Sequence, residues 1–169
     1  MNANTQRNEN IGLRQGRVVV GVDGSASSLG ALRWAALYAD MTGARLEAVS
    51  AWEVPSSYLW TALPIDAYDG GEATEIALTK SVHDTFGPLR PDGMALIVRK
   101  GSAANVLIDA STGADLLVVG CRGFGEFKSL LLGSVSARVA EHANCPVLVM
   151  HGDPHEKAPT TDTAAARVD

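Results

Sequence analysis

Basic clusters, aromatic residues, cysteine pairs and long apolar runs are all scarce in this chain of 169 residues. Each scarcity removes a class of function. Lysine and arginine number 14 against 19 aspartates and glutamates, for a net charge of −5, and nowhere do more than two basic residues adjoin. Neutralising a phosphate backbone takes a basic stripe, so no nucleic-acid partner is expected; the same lack excludes a basic helix lying on a membrane. The apolar run Leu116 to Val119 has four residues, far from the ~20 of a spanning helix, so no membrane association is expected. Met1 to Gln15 is polar and has no apolar signal-peptide core. Cys121 and Cys145 are the only cysteines, which fits a reducing cytoplasm and no disulfide framework. Aromatics make up 5%, so the core has to be built from Val, Leu, Ile and Ala.

Several catalytic signatures are also missing. There is no Gly-x4-Gly-Lys-[Ser/Thr], which argues against a P-loop hydrolase, and no Gly-x-Gly-x-x-Gly after the first strand, which argues against a dinucleotide oxidoreductase. Neither a Ser-Gly-Gly-x-Asp-Ser run nor a nucleophile elbow occurs. His151 and His155 are four apart but lack ligand-type partners, and His83 and His142 fall on predicted helices as exposed polar positions.

What is present is a regular alternation. Residues 1–16 and 152–169 are polar and aperiodic and read as a disordered lead and tail around one domain, 17–151. Within it, strands are predicted at Arg17–Asp23, Arg45–Trp52, Met94–Arg99, Asp115–Val119 and Pro146–Met150. Helices are predicted at Ser27–Thr42, Glu72–Phe86, Ala103–Ser111 and Ser134–Ala143. The first helix is expected to turn Leu29, Leu32, Ala36 and Leu37 to the core, with Trp34 beside them. Apolar strands without hairpin signals imply a parallel sheet covered on both faces. The fold class is therefore α/β, a three-layer doubly wound sheet, which binds ligands at the carboxyl ends of its strands. Glu53–Gly71, with Pro55, Tyr58, Trp60, Pro64 and Tyr68, is long for a connection at that end. It reads as a packed surface loop or partner contact, or as a lid.

Two features carry chemistry. After the fourth strand stands Gly120-Cys-Arg122-Gly123-Phe-Gly125-Glu126-Phe-Lys128, then Gly133-Ser134-Val135-Ser136. Glycines let a backbone take φ > 0 or approach a ligand closely, and their amides, with a helix start behind them, make an anion site. Ser134 and Ser136 offer hydroxyls, or Ser134 caps the helix, while Arg122 and Lys128 add positive charge. A plain βα turn with an ordinary cap is the alternative. The second feature is Asp23-Gly24-Ser25 at the end of the first strand. A carboxylate there would accept from ribose hydroxyls or hold Mg²⁺ beside phosphates; a turn or capping aspartate is the alternative.

Taken together, Gly-x2-Gly-x9-Gly-Ser at Gly120, Gly123, Gly133 and Ser134, Val-Gly-Val-Asp-Gly-Ser in the first strand, Ala-Asp-Leu-Leu-Val-Val-Gly before the loop and Cys-Pro-Val-Leu-Val at the end resemble the universal stress protein family over residues 17–150. The resemblance implies sheet order 3-2-1-4-5, a Rossmann-like arrangement related to the adenine nucleotide alpha hydrolases. It implies an ATP site (or ADP or AMP, with Mg) at Asp23, Gly24, Ser25, Ala51, Gly101, Gly120, Arg122, Gly123, Gly133, Ser134, Val135 and Ser136, with the backbone of Ala51 meeting adenine. It implies a homodimer through Pro146–Met150 and a cytoplasmic, nucleotide-dependent stress-response regulator with at most slow ATP hydrolysis. A nucleotide-free dimeric scaffold and a slow ATP hydrolase are the alternatives. Two positions depart from the family pattern: Glu126 stands where glycine is frequent, and Cys121 where serine is. Cys121 reads as a small packing residue or as a low-pKa thiol at the nest.

Overall fold

The computed structural model describes residues 15–56, 58, 64, 68–121 and 132–151. The expected lead and tail lie outside this set, apart from Gln15 and Gly16. The carbonyl of Gly16 already accepts from Arg45 N at 2.7 Å, so sheet pairing begins one residue before the predicted strand.

Five parallel strands form one sheet in the order β3-β2-β1-β4-β5. They are β1 (Arg17–Gly21), β2 (Arg45–Trp52), β3 (Ala95–Lys100), β4 (Leu116–Gly120) and β5 (Val147–Met150). Between them run α1 (Ala26–Thr42), α2 (Gly71–Phe86), α3 (Ala103–Ser111) and α4 (Ser134–His142). β1 sits in the middle because both of its faces are apolar: Val18, Val19 and Val20 are fully buried. Val18 and Val20 pack under α1 and α2, and Val19 packs under α3 and α4, giving two cores, one on each side. β5 is an edge strand whose four residues are all half-buried.

α1 starts where Ser25 leaves the helix in an extended conformation and its hydroxyl accepts from Ser28 N. It stops at Gly43, which takes φ +68°, while the next amide, Ala44 N, reaches back to Ala39 O at 3.0 Å. The buried face centres on Ala31, Leu32, Ala35, Ala36 and Ala39. Leu37, expected in the core, is 57% exposed instead. One residue past Ala36 lies about 100° further round the helix, enough to turn it outward.

Arg17 fastens the bottom of the sheet. Its guanidinium bonds Glu47 Oε2 at 2.6 Å and the carbonyls of Ala110 and Thr112, each at 2.8 Å. All of this lies at the amino ends of the strands and leaves the carboxyl ends open.

Candidate functional site

Where β1 and β4 end, their connections leave to opposite faces of the sheet, and a cleft of about 1010 Å³ opens there. That is the size of a small-molecule site. Its rim includes Asp23, Gly24, Ala51, Gly120, Gly133, Ser134, Val135 and Ser136, all singled out from the sequence. The carboxylate and the start of the last helix therefore share one opening.

The Asp23 carboxylate is divided between two tasks. Oδ1 accepts from Ser25 N at 2.9 Å and Ser25 Oγ at 2.6 Å, closing a tight turn ahead of α1. Among the described residues Oδ2 makes no hydrogen bond, and the side chain is exposed. Gly24 takes φ +86°, which an L side chain rarely adopts, so the chain can reverse beneath the carboxylate. Ser25 does not line the cleft; its hydroxyl is spent on Asp23 and on capping α1. Gly101 also stands off the cleft. With φ +136°, it donates its amide to Trp52 O at 2.9 Å and carries the chain from β3 to α3.

Ala51 offers a bare peptide. Val49 O receives Val22 N at 2.9 Å, and Trp52 O receives Gly101 N on the opposite side. Peptides alternate along a strand, so the N–H and C=O of Ala51 face the side that β1 has vacated. The Val22 carbonyl, which would normally continue the ladder, is taken by the Ser50 hydroxyl. No partner for the Ala51 peptide occurs among the described residues.

The last helix presents its amino end. Gly133 is the cap, with φ −71°, ψ 162° and no side-chain cap bond, so Ser134 is the first helical residue and not the cap. The amides of Ser134, Val135 and Ser136 have no intrahelical partners there. The Ser136 hydroxyl is not available to a ligand as a donor. It is buried and donates to Cys121 O (2.9 Å) and Gly133 O (3.0 Å). Gly133 N also donates to Cys121 O at 2.7 Å, so the two ends of the segment 122–131 are held together at the cleft. Arg122, Gly123, Gly125, Glu126 and Lys128 lie outside the described residues. The Cys121 side chain is 4% exposed and packs as a small residue.

Gly120 has a packing reason of its own. A Cβ there would sit 2.6 Å from Ser27 Oγ and 2.8 Å from both Ser27 C and Ser28 N. The end of β4 thus runs against the first turn of α1, and a side chain at 120 fits only if that turn shifts.

Sequence reasoning placed Tyr58 and Tyr68 on the connection at this end of the sheet but missed Trp52 as part of an aromatic rim. Trp52 and Tyr68 line the cleft with ring centroids 6.1 Å apart, and Tyr58 lies 5.0 Å from Tyr68. Lys100 Nζ stands 5.2 Å from the Trp52 ring. Gly70 packs so closely on that ring that a Cβ would come within 3.0 Å of it. The Gly70-Gly71 pair at the foot of a helix was the available signal. The end of the long Glu53–Gly71 connection is thereby packed at the rim; Trp60 and most of its middle lie outside the described residues.

The chain's residues 15–151 match the family model described as the universal stress protein family. The chain belongs to the universal stress protein family. A universal stress protein of Mycolicibacterium smegmatis is 38% identical over 143 residues, which cover 80% of this chain and 48% of that protein. One from Thermus aquaticus is 33% identical, over 79% of this chain and 96% of its own length. The chain spans about half the length of the first mycobacterial relatives it matches. Among solved structures, a universal stress protein in complex with cAMP superposes with TM-score 0.58 at 29% identity, covering 80% of this chain and 96% of that one. The Archaeoglobus fulgidus protein in complex with dAMP does so with TM-score 0.53 at 23% identity, covering 82% of this chain and all of the other, and shows the shared fold. No described helix is long and apolar enough to cross a membrane. Among the described residues no group of three or more His, Cys, Asp or Glu side chains is placed to hold a metal ion.

Proposed function

We propose that this universal stress protein binds an adenine nucleotide, ATP or ADP or AMP, and acts as a nucleotide-dependent regulator in the cytoplasm. One observation carries the reading: three complementary polar features converge on one cleft. The Ala51 peptide, unpaired among the described residues, presents a donor and an acceptor suited to the edge of a base. Asp23 Oδ2 suits ribose hydroxyls. The amides at the start of α4 suit phosphate oxygens, because a helix amino end carries about half a positive charge. The universal stress protein solved in complex with cAMP supports the same ligand class. Asp23 is the only carboxylate lining the cleft among the described residues, so it is the group that would hold Mg²⁺ beside bound phosphates. Arg122, Gly123 and the rest of the glycine loop are assigned to the phosphates from the sequence motif. No nucleic-acid or membrane partner is assigned. Two copies are proposed to pair through β5, which would cover its open edge.

Thermal melting tests the binding claim. Ligand at 100 times its Kd stabilises by about 2.7 kcal/mol, or roughly 9 °C for a domain of this size. Millimolar Mg-ATP should raise the melting temperature of the native chain and raise that of Asp23→Asn less. An unshifted wild-type curve would count against the reading.

A further inference from the structure

We propose that Ser50 is a positioning residue: its hydroxyl ends the β1–β2 ladder one rung early and so keeps the Ala51 N–H free for the edge of a nucleobase. This role deepens the nucleotide reading above and rests on it; Ser50 acts through Ala51 and not on the ligand. The register sets up a competition between two donors. β1 and β2 run parallel with Gly21 opposite Val49, which puts Val22 opposite Ser50. In a parallel ladder such a residue donates its N–H to the partner strand one position back and accepts at its C=O from one position ahead. Val22 makes the first of these bonds, to Val49 O at 2.9 Å. The second would run from Ala51 N to Val22 O, and it is absent among the described residues. In its place the Ser50 hydroxyl donates to Val22 O. The chain then leaves the sheet for α1, where Asp23 N donates to Ser28 Oγ at 3.3 Å.

A buried carbonyl needs a donor. Val22 is 4% exposed and Ser50 8%, so the hydroxyl is the donor at hand. A carbonyl has two lone pairs, so the hydroxyl does not shut Ala51 out by filling the acceptor. It acts by removing the penalty for an open last rung, which lets β1 part from β2 at Val22. Without the hydroxyl, Val22 O is satisfied by closing that rung. The Ala51 N–H then passes from the cleft into the sheet. Val22, Ser50 and Ala51 all line the cleft, so the choice between the two donors is made at the site itself.

The test is residue-resolved amide hydrogen exchange of the full chain, without ligand and with Mg-ATP, beside titration calorimetry. Ser50→Ala removes the hydroxyl. Ser50→Thr keeps it, and the cleft beside position 50 leaves room for the added methyl. Without ligand, the Ala51 amide of Ser50→Ala should exchange at least about tenfold more slowly than that of the wild type, because it has gained a hydrogen bond. Simple destabilisation has the opposite sign and speeds exchange throughout the sheet. Ser50→Ala should also bind ATP about five- to tenfold more weakly, and Ser50→Thr should restore both the exchange rate and the affinity. In the wild type, Mg-ATP should slow exchange at Ala51. An Ala51 amide that exchanges no more slowly in Ser50→Ala, with ATP still bound by the wild type, overturns the Ser50 role and leaves the nucleotide reading standing. Bound ATP that leaves Ala51 exchange unchanged does the same. A wild type that binds no adenine nucleotide overturns the nucleotide reading instead, and the ligand-free exchange comparison still decides whether Ser50 ends the ladder.

Discussion

Replacing Gly120 by alanine separates two reasons for a glycine at the mouth of a site. A Cβ at this position meets Ser27 Oγ at 2.6 Å, which can rotate away, but also Ser27 C and Ser28 N at 2.8 Å, which are backbone. Relief requires the first turn of α1 to retreat by several tenths of an ångström. That turn holds the Asp23–Ser25 hydrogen bonds and the Ser25 cap, so they move with it. Overpacking of this kind costs about 1–3 kcal/mol. For a domain of this size each kcal/mol lowers the melting temperature by roughly 3–4 °C, so a drop of about 3–12 °C is expected. Gly21 supplies the comparison. Its nearest neighbours are the Leu107 methyl carbons at 2.9 and 3.2 Å, the free end of a side chain beside the cleft. Gly21→Ala should therefore cost less, below about 1 kcal/mol. Scanning calorimetry of the two variants without ligand decides the matter. If Gly120→Ala melts with the wild type, or above Gly21→Ala, the backbone collision is not what keeps position 120 bare.

Other outcomes follow from the fastening of the sheet and from the thiols. Arg17→Met leaves the carbonyls of Ala110 and Thr112 and the Glu47 carboxylate without their guanidinium partner, and denaturant unfolding should show a loss of about 2–3 kcal/mol. Cys145 has its thiol pushed up by partial burial, against a smaller opposing pull from Arg17. A raised thiol pKa means less thiolate at any given pH, so native Cys145 should react with a disulfide reagent at pH 8 more slowly than a free cysteine, and faster as the pH rises. Cys121, almost wholly buried, should react only on unfolding.

Local pattern carried most of the fold. β2 and α3 begin and end at the residues predicted for them, because Thr42-Gly43 and Ser102 punctuate the chain chemically. The parallel sheet followed from apolar strands, and its strand order from the resemblance that the family motifs carry. What could not be read were the reasons that depend on distant neighbours. Gly120 looked like a ligand glycine, and only the fold shows α1 pressed against it. Ser136 looked like a ligand hydroxyl, yet it ties α4 to Cys121. Trp52 follows the position assigned to the base, but its place on the rim depends on Tyr68 and Gly70, which come 16 and 18 residues later. Leu37 was put inside by its hydrophobicity, although the helical phase set by the alanines turns it out.

Titration calorimetry of the full chain with ATP, ADP, AMP and cAMP, in the presence of Mg²⁺, bears most directly on the cleft. Saturable heat with one nucleotide per chain, weakened at least about tenfold by Asp23→Ala, is the predicted result. No saturable heat with any of the four at millimolar concentration would contradict the assignment of that opening to an adenine nucleotide.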